Sequence, residues 1–506
     1  MVVQFTGADT GTAPLTWGQK AILQDMQDSG SQFNMGGAIA LPEGSTVQDA
    51  AARLSGLMGR HAALRTRLTT GPADRPHQQV AGSGQIDLDI LTIPDDTDRA
   101  GTERYVHDLL ATWPLTRFDF HRDWPLRMAV LRHRGDCLYL VWVLAHLVAD
   151  GGAHVLLLDD LGPGELVSRA AGDPPRLQIL DVARSEQAPQ LRRLSGRAMQ
   201  YWESQLSHIP ALTFGEPAHP RGLAPQPYWQ VRFSSPAAHL AMLAIVKRTG
   251  ADVSRATLAV IATAIGRATG VSPLTLKVMA NNRFRPGLAD VIAPIAQNSV
   301  VTIDVTDTSI DDVVARTRSA SLTAGMRAYY DPDDLTAVVA RLDAERGYPA
   351  RVTCRVNDQR AMVMRRREAD AADVTPEQVR RRLAETSLDW LGPRDNMHEQ
   401  ANILIENRPD VVSLHMMWDL QCLTTEQVEA LLRGVEEVAV EAAFDPAAPT
   451  KVLPRPLPQP AAVPAGSLVR RCHSRLRRSA RTTAACWKSS SANMPARITV
   501  LTPSSR

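Results

Sequence analysis

A chain of 506 residues, 44% apolar and 22% charged, is long enough for about two to four compact domains and has the composition of a folded globular protein. Its net charge of +2 is uneven, because residues 451–506 hold eleven Lys or Arg and no Asp or Glu, which leaves residues 1–450 at about −9. A mildly acidic body lacks the basic stripe that a nucleic-acid surface needs.

Thr16–Met26 and Val47–His61 space their apolar residues helically, with Ala51, Leu54, Leu57 and Met58 on one face of the second. Leu138–Leu144 is a run of strand formers, which predicts a buried strand feeding a loop that ends in Gly151-Gly152. A helix is expected from near Asp150, whose carboxylate suits a helix N-terminus, with Val155–Leu158 turned inward. The Gly- and Pro-rich stretch 162–175 predicts a crossing between lobes, so the first lobe is expected over 1–175 and the second over 176–448. In the second half, predicted helices at Arg197–Ser207, Ala237–Thr249, Ser254–Thr269 and Thr425–Ala442 alternate with strand-like runs. Those runs are Leu274–Met279, Val300–Val305 and Val411–Met417, and the alternation favours an α/β architecture. From Pro454 onward apolar periodicity ends, so residues 449–506 are expected to form a basic, disordered tail. Such a tail either binds something acidic or is the product of a shifted reading frame.

Five cysteines, at 137, 354, 422, 472 and 486, form no Cys-x-x-Cys pair and indicate neither a disulfide framework nor a zinc site. Met1–Thr12 has no leader pattern, and the apolar stretch Leu138–Ala149 is too short to cross a bilayer. The expectation is a cytoplasmic monomer without bound metal, cofactor, membrane or nucleic acid.

The most informative string is Ala145-His146-Leu147-Val148-Ala149-Asp150-Gly151. A neutral histidine on a loop after a buried strand can accept a proton, and Asp150 can fix that loop by pairing with a cation. By itself the string serves structure as readily as chemistry. Asn298 and Asn357 offer hydrogen bonds to a substrate or simply form turns. Asp331-Pro-Asp-Asp334 reads as a solvated acidic loop, and Trp17, Trp202 and Trp418 read as core anchors. No Gly-x-Ser-x-Gly elbow, phosphate loop, dinucleotide fingerprint or His-Glu-x-x-His pair accompanies them.

Taken together, several segments resemble the condensation domains of nonribosomal peptide synthetases. HLVADG at 146–151 matches their His-His-x-x-x-Asp-Gly signature from the second histidine onward, with Ala145 in the place of the first. PLTWGQKAIL (14–23) resembles the family's opening helix, RHAALRTRL (60–68) its Arg-His-x-x-Leu-Arg-Thr segment, and Phe118-Asp119 through Pro125-Leu126-Arg127 the strand before the signature. MQYWESQLSHIP (199–210) resembles the Tyr-Trp-x-x-x-Leu helix, and VMANNRFRPGL (278–288) stands where the family has its Gly-Arg segment. APIAQNSVVTIDV (293–305) is similar to a diverged copy of the Phe-Val-Asn-Thr segment, so the resemblance runs over roughly residues 10–446.

The resemblance implies two lobes, each like chloramphenicol acetyltransferase, arranged as a V-shaped pseudo-dimer around a central tunnel. Two carrier-protein phosphopantetheine arms would enter it from opposite sides, one bringing an acyl thioester and the other an amine or, less often, a hydroxyl. The same resemblance makes His146 the catalytic residue, Asp150 and Gly151 supports of the signature loop with Arg283 as the partner of Asp150, and Asn298 and Asn357 tunnel residues. No adenylation or carrier segment is recognisable after residue 450, so carrier proteins are expected in trans, as in a free-standing condensation enzyme of specialised metabolism with a small-molecule amine or alcohol as a further possible acceptor. Two alternatives stay open: an inactive relative that recruits carrier proteins or tailoring enzymes, and a coenzyme A-dependent acyltransferase. Ala145, Ala153 and the diverged later segment favour inactivity, whereas the retained His146 favours the enzyme.

Overall fold

A computed structural model describes residues 1–161, 177–210, 213–214, 228–360, 374–394, 399–453 and 500–501. In the first half, the elements are β1 (Val2–Thr6), β2 (Gly11–Pro14), α1 (Trp17–Ser29), β3 (Met35–Ala40), α2 (Val47–Arg60), β4 (Thr66–Thr70), β5 (Pro76–Val80), β6 (Ser83–Ile93), α3 (Arg99–Thr112), β7 (Leu126–His133), β8 (Asp136–Leu144), α4 (Gly151–Leu161) and α5 (Ile179–Glu186). Thr16 and Thr46 start α1 and α2 with reciprocal side-chain caps to Gln19 and Asp49. A sheet in the order β1-β6-β7-β8-β3 forms the centre of this lobe, and β2-β5-β4 form a small second sheet. β8 pairs antiparallel with both β7 and β3. It is covered on both faces: Leu140, Trp142 and Leu144 enter the main core, while Val141 packs with Leu110 of α3 and Val143 with Phe118. That double burial explains why its sequence is a continuous apolar run instead of an alternation.

The second half contains α6 (Pro189–Leu206), β9 (Tyr228–Ser235), α7 (Pro236–Thr249), α8 (Val253–Thr269), β10 (Leu274–Ala280), β11 (Gln297–Ile303), α9 (Ile310–Met326), α10 (Pro332–Arg346), β12 (Cys354–Asp358), α11 (Pro376–Arg382), β13 (Ser387–Arg394), β14 (Ala401–Glu406), β15 (Val412–Asp419) and α12 (Thr425–Phe444). Seven strands form one sheet in the order β11-β10-β12-β14-β15-β9-β13, with β10-β12 and β12-β14 parallel. Apolar faces of α7, α8 and α12 pack on one side of it, and α8 is buried without a break from Ala256 to Gly266. On the other side α6 and α10 cover the β11 edge, where Trp202, Val300, Tyr330 and Leu342 share a cluster. Two sheet-containing lobes of mixed α/β structure result.

The expected division at residue 175 falls in 162–176, outside the described residues. α5, assigned by that division to the second lobe, instead buries Ile179, Leu180 and Val182 in the core of the first. Val291, Ile292 and Ile295 from the second half join that same core, so the lobes share apolar contacts. The tail boundary also moves. Thr450 N donates to Thr308 O at 3.0 Å, Arg267 Nε donates to Thr450 O at 2.7 Å, and Val452 is 3% exposed. The packed body therefore continues past Ala448 to at least Val452. Residues 454–499 and 502–506 of the expected tail lie outside the described residues, and between them β16 (Val500–Leu501) pairs in parallel with Ala38–Ile39 of β3.

The acidic string at 331–334 is not a solvated loop. Asp331 caps α10, is 2% exposed, and accepts bonds from Lys20 Nζ at 2.9 Å and Arg192 Nη1 at 2.6 Å. It ties α1 of the first lobe to α6 and α10 of the second. Trp17, Trp202 and Trp418 are all buried, as core anchors should be.

Candidate active site

β8 ends at Leu144 and delivers Ala145 into an apolar cluster with Phe118 and Val143, where it is fully buried. His146 follows on the loop, half-buried, with Nδ1 2.7 Å from the carbonyl oxygen of Ala149. A carbonyl only accepts, so Nδ1 carries the proton and Nε2 is the basic nitrogen of the neutral ring. The local fold thus selects the tautomer that a proton acceptor needs.

Asp150 is buried and organises everything around it. Its Oδ1 accepts from Ala153 N at 2.7 Å, capping α4, and from Arg283 Nη2 at 2.6 Å. Oδ2 accepts from Ile295 N at 2.9 Å and Ala296 N at 2.8 Å. Burial alone would push this carboxyl up, but the Arg283 guanidinium and the backbone N–H donors outweigh it and hold Asp150 below the usual carboxylate range. Arg283 lies on the turn after β10, and its Nη1 donates to Val291 O at 2.8 Å. Ile295 and Ala296 lead directly into β11. One carboxylate therefore pins the signature loop of the first lobe to the β10–β11 connection of the second.

Two glycines permit that approach. A Cβ on Gly152, in the first turn of α4, would lie 2.3 Å from Arg283 Nε. A Cβ on Gly18 in α1 would lie 1.6 Å from the carbonyl oxygen of Pro294. Gly151 opens α4 beside Asp150.

The structure thus brings His146, Asp150, Gly151 and Arg283 together as expected. Asn298 and Asn357 stand on β11 and β12, not in turns. Asn298 is two residues beyond Ala296, and its carbonyl accepts from Tyr330 Oη at 2.9 Å. Asn357 is 2% exposed, and the side-chain oxygens of both asparagines have no hydrogen-bond partner among the described residues.

Sequence reasoning missed Glu186. It is fully buried at the end of α5, where Oε2 accepts from Trp17 N at 2.8 Å and Oε1 from Tyr329 Oη at 2.6 Å. Burial pushes its carboxyl up to about 8, against the lowering effect of those two donors. Nothing in the local sequence marks a glutamate at a helix end as buried, because its partners are 169 and 143 residues away.

The family model described as Condensation domain matches residues 9–347 of this chain. The chain belongs to the condensation-domain family. The phosphinothricin tripeptide synthetase PhsC of Streptomyces viridochromogenes is 26% identical over 332 residues, covering 62% of this chain and 30% of that protein. The chain therefore spans less than a third of the length of that curated relative. Among solved structures, the SgcC5 protein of Streptomyces globisporus superposes with a TM-score of 0.63 at 18% identity, covering 86% of this chain and all of that one. The X-domain from teicoplanin biosynthesis, also solved in complex with OxyB, superposes with a TM-score of 0.63 at 19% identity, covering 89% of this chain and 99% of that one. These likenesses establish the fold. Among the described residues no cluster of three or more His, Cys, Asp and Glu could hold a metal ion, and no helix is long and apolar enough to cross a membrane.

Proposed function

We propose that this condensation domain is a free-standing enzyme that transfers an acyl group from a carrier-protein thioester to an amine, or to a hydroxyl, forming an amide or ester. The observation that carries this reading is His146, held with its proton on Nδ1 by Ala149 in a loop that Asp150 and Arg283 clamp between the lobes. In the reaction, the acceptor nitrogen or oxygen attacks the thioester carbonyl, its proton passes to His146 Nε2, and the tetrahedral species collapses to expel the pantetheine thiolate. The thiolate then takes the proton from the imidazolium. A positioned base of this kind contributes about 10²–10⁴-fold, and holding both reactants in one tunnel contributes the rest through proximity. Phosphopantetheine arms arrive on carrier proteins in trans, and no cofactor resides on the chain.

Docking a carrier delivers its thioester without a second binding event. In a competition at equal concentration, a carrier-bound acyl group should therefore outpace the same acyl group on a short free thiol, read by mass spectrometry of the product. Equal rates would favour a coenzyme A-type acyltransferase. A recruitment platform is the second reading, favoured by Ala145, which places a methyl in an apolar cluster where the signature has a polar ring. Carrier binding without transfer from any donor would select it.

A further inference from the structure

The sheet of the second lobe has one apolar face and one polar face. Val356, Ile403, Leu414, Met416 and Val231 fill the side under α7, α8 and α12. Side chains alternate along a strand, so Arg355 and Asn357 on β12, Asn402 on β14 and His415 on β15 occupy the opposite side. Strand pairing puts Arg355 between Lys277 of β10 and Asn402. The same face begins beside the signature loop, because Asn298 pairs with Met279 only two residues after Ala296 donates to Asp150.

Most charges on this face are matched. Lys277 Nζ lies 3.0 Å from Glu399 Oε1, and Arg232 Nε lies 2.9 Å from Glu406 Oε2, which also accepts from Ser413 Oγ at 2.8 Å. Arg355 has no carboxylate partner among the described residues, and its Nε is buried without a hydrogen bond. The side-chain oxygens of Asn298, Asn357 and Asn402 are likewise buried and unpartnered among the described residues. Eighteen buried side-chain N or O atoms have no partner among the described residues, and Asn298, Arg355, Asn357 and Asn402 bring four of them to this one face, where each costs the desolvation that a partner would repay. One cation and a set of buried amide oxygens on one face describe the complement of a ligand bearing a carboxylate and N–H donors.

We infer that Arg355, Asn357 and Asn402 form a recognition site for an acidic aminoacyl group, with the Arg355 guanidinium receiving its carboxylate and the asparagine oxygens receiving its N–H donors. This rests on the condensation reading above and adds the substrate class to it. A hydrocarbon acyl chain would leave the same polar atoms buried and unmatched.

Two non-hydrolysable mimics of a loaded arm, glutamyl-pantetheine amide and norleucyl-pantetheine amide, differ at the side-chain carboxylate and share the amine. Calorimetric titration should show wild-type protein binding the glutamyl mimic at least about tenfold more tightly, the effect of one hydrogen bond to a charged group. Arg355→Met should abolish that preference while leaving norleucyl binding unchanged, and His146→Ala should keep it. If Arg355→Met fails to fold, Arg355→Gln, which keeps a polar side chain but removes the charge, serves in its place and should likewise abolish the preference. Equal binding of the two mimics, no binding of either, or a preference that survives Arg355→Met overturns the inference. A wild-type protein that discriminates the mimics yet transfers no acyl group leaves this site standing and overturns the enzyme reading. An active enzyme without discrimination does the reverse.

Discussion

Replacing Arg283 by methionine keeps the length of its stem and removes the cationic partner of Asp150. Its carboxylate would retain the backbone donors of Ala153, Ile295 and Ala296 but lose the guanidinium 2.6 Å away. Side-chain exposures of 12% and 4% make this a buried pair, so breaking it should cost about 3–5 kcal/mol near neutral pH. The pH dependence supplies a sharper test. In the wild type the Asp150 pKa is depressed, so its stabilising contribution is present above the unfolded value of about 3.9 and is lost as pH falls through the folded value. Without Arg283, burial pushes the carboxyl upward, and the variant loses stability as pH rises above about 4. The deficit of Arg283→Met relative to wild type, read from urea unfolding, should therefore be largest at neutral pH and shrink toward pH of about 4. Asp150→Asn, with an NH₂ facing backbone N–H donors, should be similarly costly, and the double variant should cost less than the sum, because no charge is left unmatched. A cost for Arg283→Met below about 1 kcal/mol, or strict additivity, would mean that solvent screens the pair and that the lobes are not clamped here.

Glu186→Gln should flatten the stability profile between about pH 5 and 8: the wild-type carboxyl is raised to about 8, so its stabilising contribution is present below the unfolded value of about 4.3 and is lost as pH rises through about 8. Urea midpoints of both proteins across that range check it. Gly152→Ala should destabilise by about 1–3 kcal/mol, because the added methyl meets an Arg283 side chain that three bonds hold in place. Truncation after Leu453, which among the described residues removes only the short β16 pairing with β3, should lower the melting temperature less than truncation after Ala448, since burying the Val452 side chain contributes about 1.5–3 kcal/mol.

Periodicity and breakers made much of the fold legible. The spacing that predicts Val47–His61 gives α2 at Val47–Arg60, and the apolar run Leu138–Leu144 lies inside β8. Short strands such as β1 and β4, half-exposed and without a long apolar run, carry no comparable signal. The resemblance located Asp150 and Arg283, which are 133 residues apart and are joined only by the tertiary fold. Two expectations failed because local composition cannot report distant partners. Asp331 reads as solvated until Lys20 and Arg192 arrive from other elements, and Thr450 and Val452 read as tail until they pack against the second lobe beside Arg267. Asn298 and Asn357 read as tunnel residues or as turn formers, and the strand register puts both on one polar face of the sheet.

His146 moving the proton during acyl transfer within the clamped loop is the role on which the proposed function stands. It is tested most directly by single-turnover transfer from a loaded carrier protein, comparing wild type with His146→Ala at matched melting temperature. The variant's rate should be lower by at least about 10²-fold, with carrier binding retained. A rate equal to wild type would contradict it.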